Sequence, residues 1–280
     1  VMSYVGVITF ASVVLWAFAL FIVGYSGIGG WQLLVLACIG FIPATDVAVA
    51  IVNRVITHQV SGKVLPGLEL QRGITPDLRT IVVIPTVLSD VSTIRKLIER
   101  LEDHYLSNRD SALSFALISD WQDSRSEHVA SDQSLLDEAN SGIARLNNNY
   151  GVAGGGARFF LLHRRRVWNA SEAAWIGWER KRGKLHELNR LLRGASDTTF
   201  LPVNGHSHGL PSDVRYVVTL DADTRLPIGT VRRLVGKMAH PLNTPFYDNH
   251  AGVVVRGHAV LQPRVIPSLP MGREGSLFER

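Results

Sequence analysis

Charge is nearly missing from the start of this chain. Between Val1 and Val52 the one charged side chain is Asp46, whereas the remaining residues carry an ordinary load and bring the net charge to +5. Such asymmetry excludes a uniformly soluble chain and points to a membrane segment followed by a water-soluble domain. Cysteine is also scarce. The single Cys38 lies inside an apolar stretch, so it implies neither a disulfide nor a thiolate metal site, and packing is its expected role. No G-x-S-x-G, Cys–His or Walker sequence is present and no segment repeats, so serine-hydrolase, cysteine-nucleophile, P-loop and solenoid classes fall away. The chain opens on Val1 and stops at "SLFER" without a closing element, and it reads as a piece of a longer protein.

What is present begins with "VGVITFASVVLWAFALFIVGY", Val5 to Tyr25, long enough to cross a hydrocarbon core of roughly 30 Å as a helix. It lacks the basic leader of a signal peptide and exceeds the usual apolar run of about 7–15 residues. A second stretch, Trp31 to Ile56, is interrupted by Pro43 and Asp46, which predicts either a kinked span or one that ends early. Arg54 stands at its end and Lys63, Arg72 and Arg79 follow it while the turn between the stretches has no basic residue, so the positive-inside bias puts everything after Ile56 in the cytoplasm.

Residues 57–79, with Pro66, Gly67, Gly73 and Pro76, read as a linker. From residue 80 to 280 the pattern is α/β. The predicted strands are "IVVI", "SFALISD", "RFFLLHR" and "YVVTL", and two short ones lie in "GVVVRG" and "HAVLQPRV". Helical periods fall on "STIRKLIERLEDHYL", "SLLDEANSGIARLNNNY", "GKLHELNRLLRG" and Ile228 to Met238, with Gly194 as a C-terminal cap. Strands alternating with helices predict a mainly parallel sheet covered on both faces.

Open α/β sheets bind ligands at the carboxyl ends of their strands, and two strand ends carry acids here: Asp120, and the pair Asp221 and Asp223. Among 14 Asp in 280 residues, chance alone supplies roughly 0.7 D-x-D pairs, so position rather than spacing gives this one its weight. In extended chain residues i and i+2 face the same way, and two such carboxylates can converge on Mg²⁺ or Mn²⁺ holding a phosphate. The plainer alternative is a cap for the following helix, with Thr224 nearby. From Arg158 to Arg193 ten Lys and Arg face three Glu. Lys184, in the first turn of its predicted helix behind Gly183, is read as a phosphate contact, with a plain surface role as the alternative. Leu185, Leu188, Leu191 and Leu192 form one apolar arc of that helix, and Asn189 flanks it. Arg164, Arg165 and Arg166 are expected as a solvated or membrane-facing run. Trp175 and Trp178 have the spacing of one helix face, and packing is expected over sugar stacking for these and Trp168. "GVAGGG" reads as a flexible turn, and His206 and His208 as exposed loop residues.

The ordered set "VVIPT", Asp120 at a strand end, "KRGKLHELNRLLRG", "TLDADTRLP", "AHPLN" and "AVLQPRV" resembles the glycosyltransferase segment of the cyclic β-1,2-glucan synthases. "IPATDVAVAIVNRVIT" and "GITPDLRTIVVIPTVL" look like that family's passage from membrane to catalytic domain. More distantly the chain is similar to processive inverting glycosyltransferases such as cellulose synthases. The resemblance implies a GT-A-like fold after two transmembrane helices, incomplete at its C-terminus, at a bacterial inner membrane. It implies UDP-glucose as donor, a growing β-glucan as acceptor, membrane lipid as surroundings and no nucleic acid. By position, Pro85 and Thr86 would line the uridine pocket, Asp120 the uracil or ribose side, and Lys184 the diphosphate, with Asn189 in the same donor-binding set. Asp221 and Asp223 would hold Mg²⁺ or Mn²⁺, and Gln262 would lie by the acceptor channel. Inverting transfer needs a general base. That residue is expected beyond Arg280, so the chain is expected to bind UDP-glucose without transferring glucose. Two other readings remain: a membrane-anchored basic module for anionic lipid or nucleic acid, and a nucleotide-sugar transferase with a lipid acceptor.

Overall fold

In the computed structural model, residues 2–59, 64–151, 156–202 and 209–265 are described. His206, His208, most of the glycine run after Gly151 and the acids Glu274 and Glu279 lie outside them. The chain forms two compact units, Val1–Val64 and Leu65–Arg280.

The first unit is a hairpin of two helices, α1 (Met2–Tyr25) and α2 (Trp31–Gln59), each long and apolar enough to cross a membrane. Most of their side chains, Phe10, Phe18, Phe21, Leu34, Ile39 and Ile42 among them, are exposed. A helix that is apolar all round and unburied needs a non-aqueous environment. Trp16 donates its indole N–H to the Ala37 carbonyl at 2.8 Å, and Tyr4 donates to Asn53 Oδ1 at 2.6 Å, tying α1 to α2. The second helix runs through Pro43 rather than ending there. Cys38 is exposed on the helix surface, not packed inside, because the hairpin has no interior at that position.

The second unit is built on a four-stranded parallel sheet in the order β3–β2–β1–β6, from β1 (Thr80–Leu88), β2 (Leu113–Trp121), β3 (Phe159–His163) and β6 (Tyr216–Thr219). Alternate strand residues enter two separate cores. Val82, Ile84, Phe115, Leu117 and Leu161 pack under α3 (Val91–Ser107), α4 (Asp132–Tyr150) and α6 (Thr230–Ala239). Ile81, Val83, Ala116, Ile118 and Leu162 pack under Leu188 of α5 (Arg180–Leu191) and Phe200. Burial on both faces is why these strands read as unbroken apolar runs. Each buried Val, Leu, Ile or Phe side chain contributes about 1.5–3 kcal/mol. The apolar stripe Ile94, Leu97, Ile98 and Leu101 sets α3 on its face, and Asp90 caps that helix by accepting from the Thr93 amide at 2.9 Å.

Several expectations are corrected. The helix α5 starts at Arg180, so Gly183 and Lys184 lie inside it rather than at its mouth, and Gly194 (φ 89°) follows its end. Trp175 and Trp178 do not share a helix. A short antiparallel hairpin, β4 (Val167–Asn169) with β5 (Ala174–Ile176), takes up Trp175, and Trp178 follows it. Arg164 and Arg166 are buried and only Arg165 is exposed: leaving β3 in extended form, the run alternates in, out, in. "GVVVRG" does form a strand, β8 (Val253–Arg256), but it pairs with β7 (Phe246–Asp248) outside the main sheet. Residues 258–265 hold no strand. Pro263 removes a ladder donor there. Residues 65–68, expected as linker, are fastened to α6 and its exit: the Leu68 amide donates to the Gly236 carbonyl at 2.9 Å, and Asn243 donates to the Pro66 carbonyl at 2.8 Å.

Candidate functional site

Strand order fixes where a ligand can enter. From β1 the chain builds outward through β2 to β3, then returns to the other side of β1 with β6. The reversal leaves a crevice at the carboxyl ends of β1 and β6, the switch point where open α/β sheets take ligands. Pro85 explains why it opens where it does. Pairing of β6 with β1 stops at Thr219↔Val83, and the last link is the Leu220 amide to the Val83 carbonyl at 3.0 Å. Residues two apart in a strand direct their backbone groups to the same side, so Pro85 faces β6 with no N–H to offer. From there β1 is held by β2 alone, through Leu88↔Trp121.

At the end of β2 stands Asp120, 4% exposed. Arg164 grips it as a fork, Nε to Oδ1 at 2.8 Å and Nη2 to Oδ2 at 3.0 Å. Lys184 Nζ reaches the same Oδ2 at 3.1 Å and donates to the Thr86 carbonyl. Arg164 also donates to the carbonyls of Trp178 (3.0 Å) and Arg180 (3.2 Å), and its Nη1 lies 3.5 Å from Glu187 Oε1. Glu187 accepts in turn from the Thr199 amide at 2.8 Å and hydroxyl at 2.7 Å. Two cations and two anions thus form an electrically neutral internal cluster that locks α5 to the ends of β1 and β2. Burial pushes the Lys184 ammonium below its ordinary pKa, against the upward pull of Asp120.

Two glycines let the backbone close on this cluster. A Cβ at Gly177 would lie 2.3 Å from the Asp120 carboxyl carbon, and one at Gly183 would lie 1.9 Å from the Trp178 carbonyl oxygen. Beside the cluster, burial drives His163 down to a pKa of about 3, so the ring is neutral at pH 7. Its Nδ1 lies 2.7 Å from the Ser119 hydroxyl. Arg166 forks onto Asp132 at 2.6 and 3.1 Å and donates to the Gln122 and Glu127 carbonyls, each at 2.9 Å, holding the loop after β2 in place.

Across the crevice, Asp221 and Asp223 follow β6 in a turn closed by the Thr224 amide to the Asp221 carbonyl at 3.0 Å. Both are exposed. Neither caps the next helix, since α6 starts at Thr230 with Gly229 at its N-cap. Lys181 Nζ pairs with Asp221 Oδ1, and Arg100 donates to the Ala222 carbonyl. Among the described residues no group of three or more His, Cys, Asp or Glu is placed to hold a metal. The two acids stand in a turn rather than in the extended chain their spacing suggested, and both carboxylates are exposed, Asp221 beside Lys181; carboxylate oxygens are the donor type that hard cations take.

Contacts therefore bring Thr86, Asp120 and Lys184 together, set Pro85 beside them in β1, and put Asp221 and Asp223 across the crevice. Asn189 and Gln262 are exposed and join none of these contacts. Sequence reading assigned Arg164 to a solvated or membrane-facing run and passed over Glu187 and Lys181. The signals were present: Arg164 directly follows a strand, and Lys181 precedes Lys184 by three residues, one helical turn. No family model matches the chain. It is 45% identical over 247 residues, 88% of its length, to the cyclic β-(1,2)-glucan synthase NdvB of Rhizobium meliloti (strain 1021). The chain is similar to one segment of a glucan synthase. It spans 9% of that protein's length. The similarity supports the resemblance carried by the motifs.

Proposed function

We propose that this chain is the donor-binding part of the glycosyltransferase segment of a membrane cyclic β-1,2-glucan synthase. It takes UDP-glucose at the β1–β6 crevice, on the cytoplasmic side of a bacterial inner membrane, for inverting transfer to a growing β-glucan. The reading is carried by the placement of Asp120, Lys184 and the Asp221–Asp223 turn around one topological switch point. Asp221 and Asp223 would hold Mg²⁺ or Mn²⁺, which when bound offsets the charge that gathers on the departing diphosphate.

The protein's own groups divide the remaining work. Lys184, 3% exposed and committed to Thr86 and Asp120, serves the nucleoside end by fixing the rim of β1. Lys181 is the half-exposed cation beside the acids and the better placed of the two for a diphosphate. Asp248, an acid downstream of Asp223, already accepts the amides of His250 at 2.8 Å and Ala251 at 3.2 Å, a turn-forming role. A basic surface for polyanions fares worse, since Arg164 and Arg166 spend their charge internally.

Titration calorimetry with UDP tests the proposal. Binding should require Mn²⁺ or Mg²⁺ and disappear in Asp221→Ala and Asp223→Ala. Binding to any polyanion that falls with salt and ignores both substitutions would overturn it.

A further inference from the structure

Beside the donor crevice the β4–β5 hairpin and the start of α5 enclose a cavity of about 470 Å³. That is within the roughly 300–1,000 Å³ of small-molecule sites. Its lining includes Trp168, Trp178, Asn169, Glu172, Glu179 and Arg180. Both indoles are large apolar groups left close to half exposed, Trp168 at 48% and Trp178 at 44%. The hairpin is no loose flap. Trp175 exchanges backbone hydrogen bonds with Ser124 at 2.7 and 3.0 Å, and its ring meets that of Trp168 edge-to-face at 5.8 Å.

Backbone strain gathers here as well. Among the described residues, three that are not glycine have positive φ: Ala173 at 48°, Glu179 at 51° and Arg180 at 47°. The first is in the hairpin and the other two line the cavity. Left-handed backbone at such residues is costly and collects where a ligand is held. The charges are already matched. Arg180 bridges Glu172 at 2.6 Å and Asp123 at 2.9 Å, and Arg182 pairs with Glu179 at 2.8 Å. An anion would find no unpaired cation among these groups. Flat aromatic faces next to an amide and carboxylates that still accept hydrogen bonds suit a neutral polyhydroxy ring, apolar on its C–H face and polar at its edge.

We propose that this cavity is a glycan subsite, in which Trp168 and Trp178 stack on glucosyl rings of the chain being extended. The assignment of the sugar as β-1,2-glucan rests on the function proposed above. Arg180 forms one wall, and its neighbour Lys181 pairs with Asp221, so a glycan seated here lies next to the donor site.

A linear β-1,2-gluco-oligosaccharide, titrated against the full chain in nanodiscs, tests the subsite through tryptophan fluorescence and saturation-transfer NMR. The wild-type chain should bind it, and Trp168→Ala and Trp178→Ala should each weaken binding by about tenfold or more, the loss expected when a large stacked ring is removed. Metal-dependent UDP binding, unchanged in Trp168→Ala, shows in parallel that the variant is folded. Wild-type oligosaccharide affinity in both variants, or no binding to a wild-type chain that still binds UDP, would overturn the subsite and leave the donor site standing. Oligosaccharide binding without any UDP binding would uphold the subsite and count against the donor site.

Discussion

Arg164 shows how far one side chain's role can lie from its composition. In sequence it is the first of three arginines and looks like part of a basic surface. Folded, it is 0% exposed and holds Asp120, Glu187 and two carbonyls of the chain entering α5. Removing one partner of a buried ion pair leaves charge without compensation and destabilises by about 3–5 kcal/mol. Arg164→Ala is therefore expected to lower unfolding free energy by about that amount. Arg164→Lys should lose less, since an ammonium keeps the charge but cannot fork onto the carboxylate. Denaturant titration of the two variants checks the order, and a loss in Arg164→Ala no larger than that of an ordinary surface change would show the cluster to be dispensable. UDP affinity should fall in the same order, because Asp120 and Lys184 are oriented through Arg164.

At the scale of elements, α5 is the piece that joins both sides of the crevice. Lys184 reaches β1 and β2, while Lys181, one turn earlier, reaches the acids after β6. Its first turn has to pass close to the Trp178 carbonyl, which is possible only because residue 183 is glycine. Helix propensity alone favours Gly183→Ala by up to about 1 kcal/mol. A Cβ 1.9 Å from a backbone oxygen opposes this and displaces the helix or the carbonyls that Arg164 uses. We expect the clash to win, with a net loss of about 1–3 kcal/mol and weakened UDP binding; thermal unfolding reads the sign directly, and a stabilised variant would refute the close approach. The elements that local pattern made legible were those with strong periodicity: β1, β2, β3, β6, α3, α4 and the two apolar helices. The start of α5 was misplaced because Arg180 to Gly183 offers no apolar period, and tertiary hydrogen bonds to Arg164 fix that turn. The β4–β5 hairpin was missed because three-residue strands are too short to show alternation. Its tryptophans at 175 and 178 mimic a helical repeat.

For the whole molecule, charge and side-chain burial are both unevenly spread along the chain. The first 52 residues, with Asp46 as their one charge, lie in a hairpin most of whose side chains are exposed, and the charged remainder makes a unit with two buried cores. The acids of the candidate site were legible as strand ends, whereas their partners Arg164, Glu187 and Lys181 were not, since ion pairs between residues tens of positions apart leave no local pattern. The two units make opposite demands on solvent. Side chains such as Phe10, Phe18 and Phe21 lose about 25 cal/mol for each Å² held in water rather than in an apolar medium, and α1 and α2 together expose many such residues. The full chain should accordingly sediment with membranes, resist alkaline carbonate and need detergent for release. Leu65–Arg280 expressed without the hairpin should appear in the aqueous fraction with the circular dichroism of a folded α/β unit. It keeps both cores intact, and Leu68, Pro66 and Leu65 stay bound to the α6 region through Gly236, Asn243 and Lys237. Fractionation and spectroscopy check both halves of the expectation: a full chain released by carbonate would refute the membrane hairpin, and an unfolded Leu65–Arg280 would show that its cores do not suffice without α1 and α2.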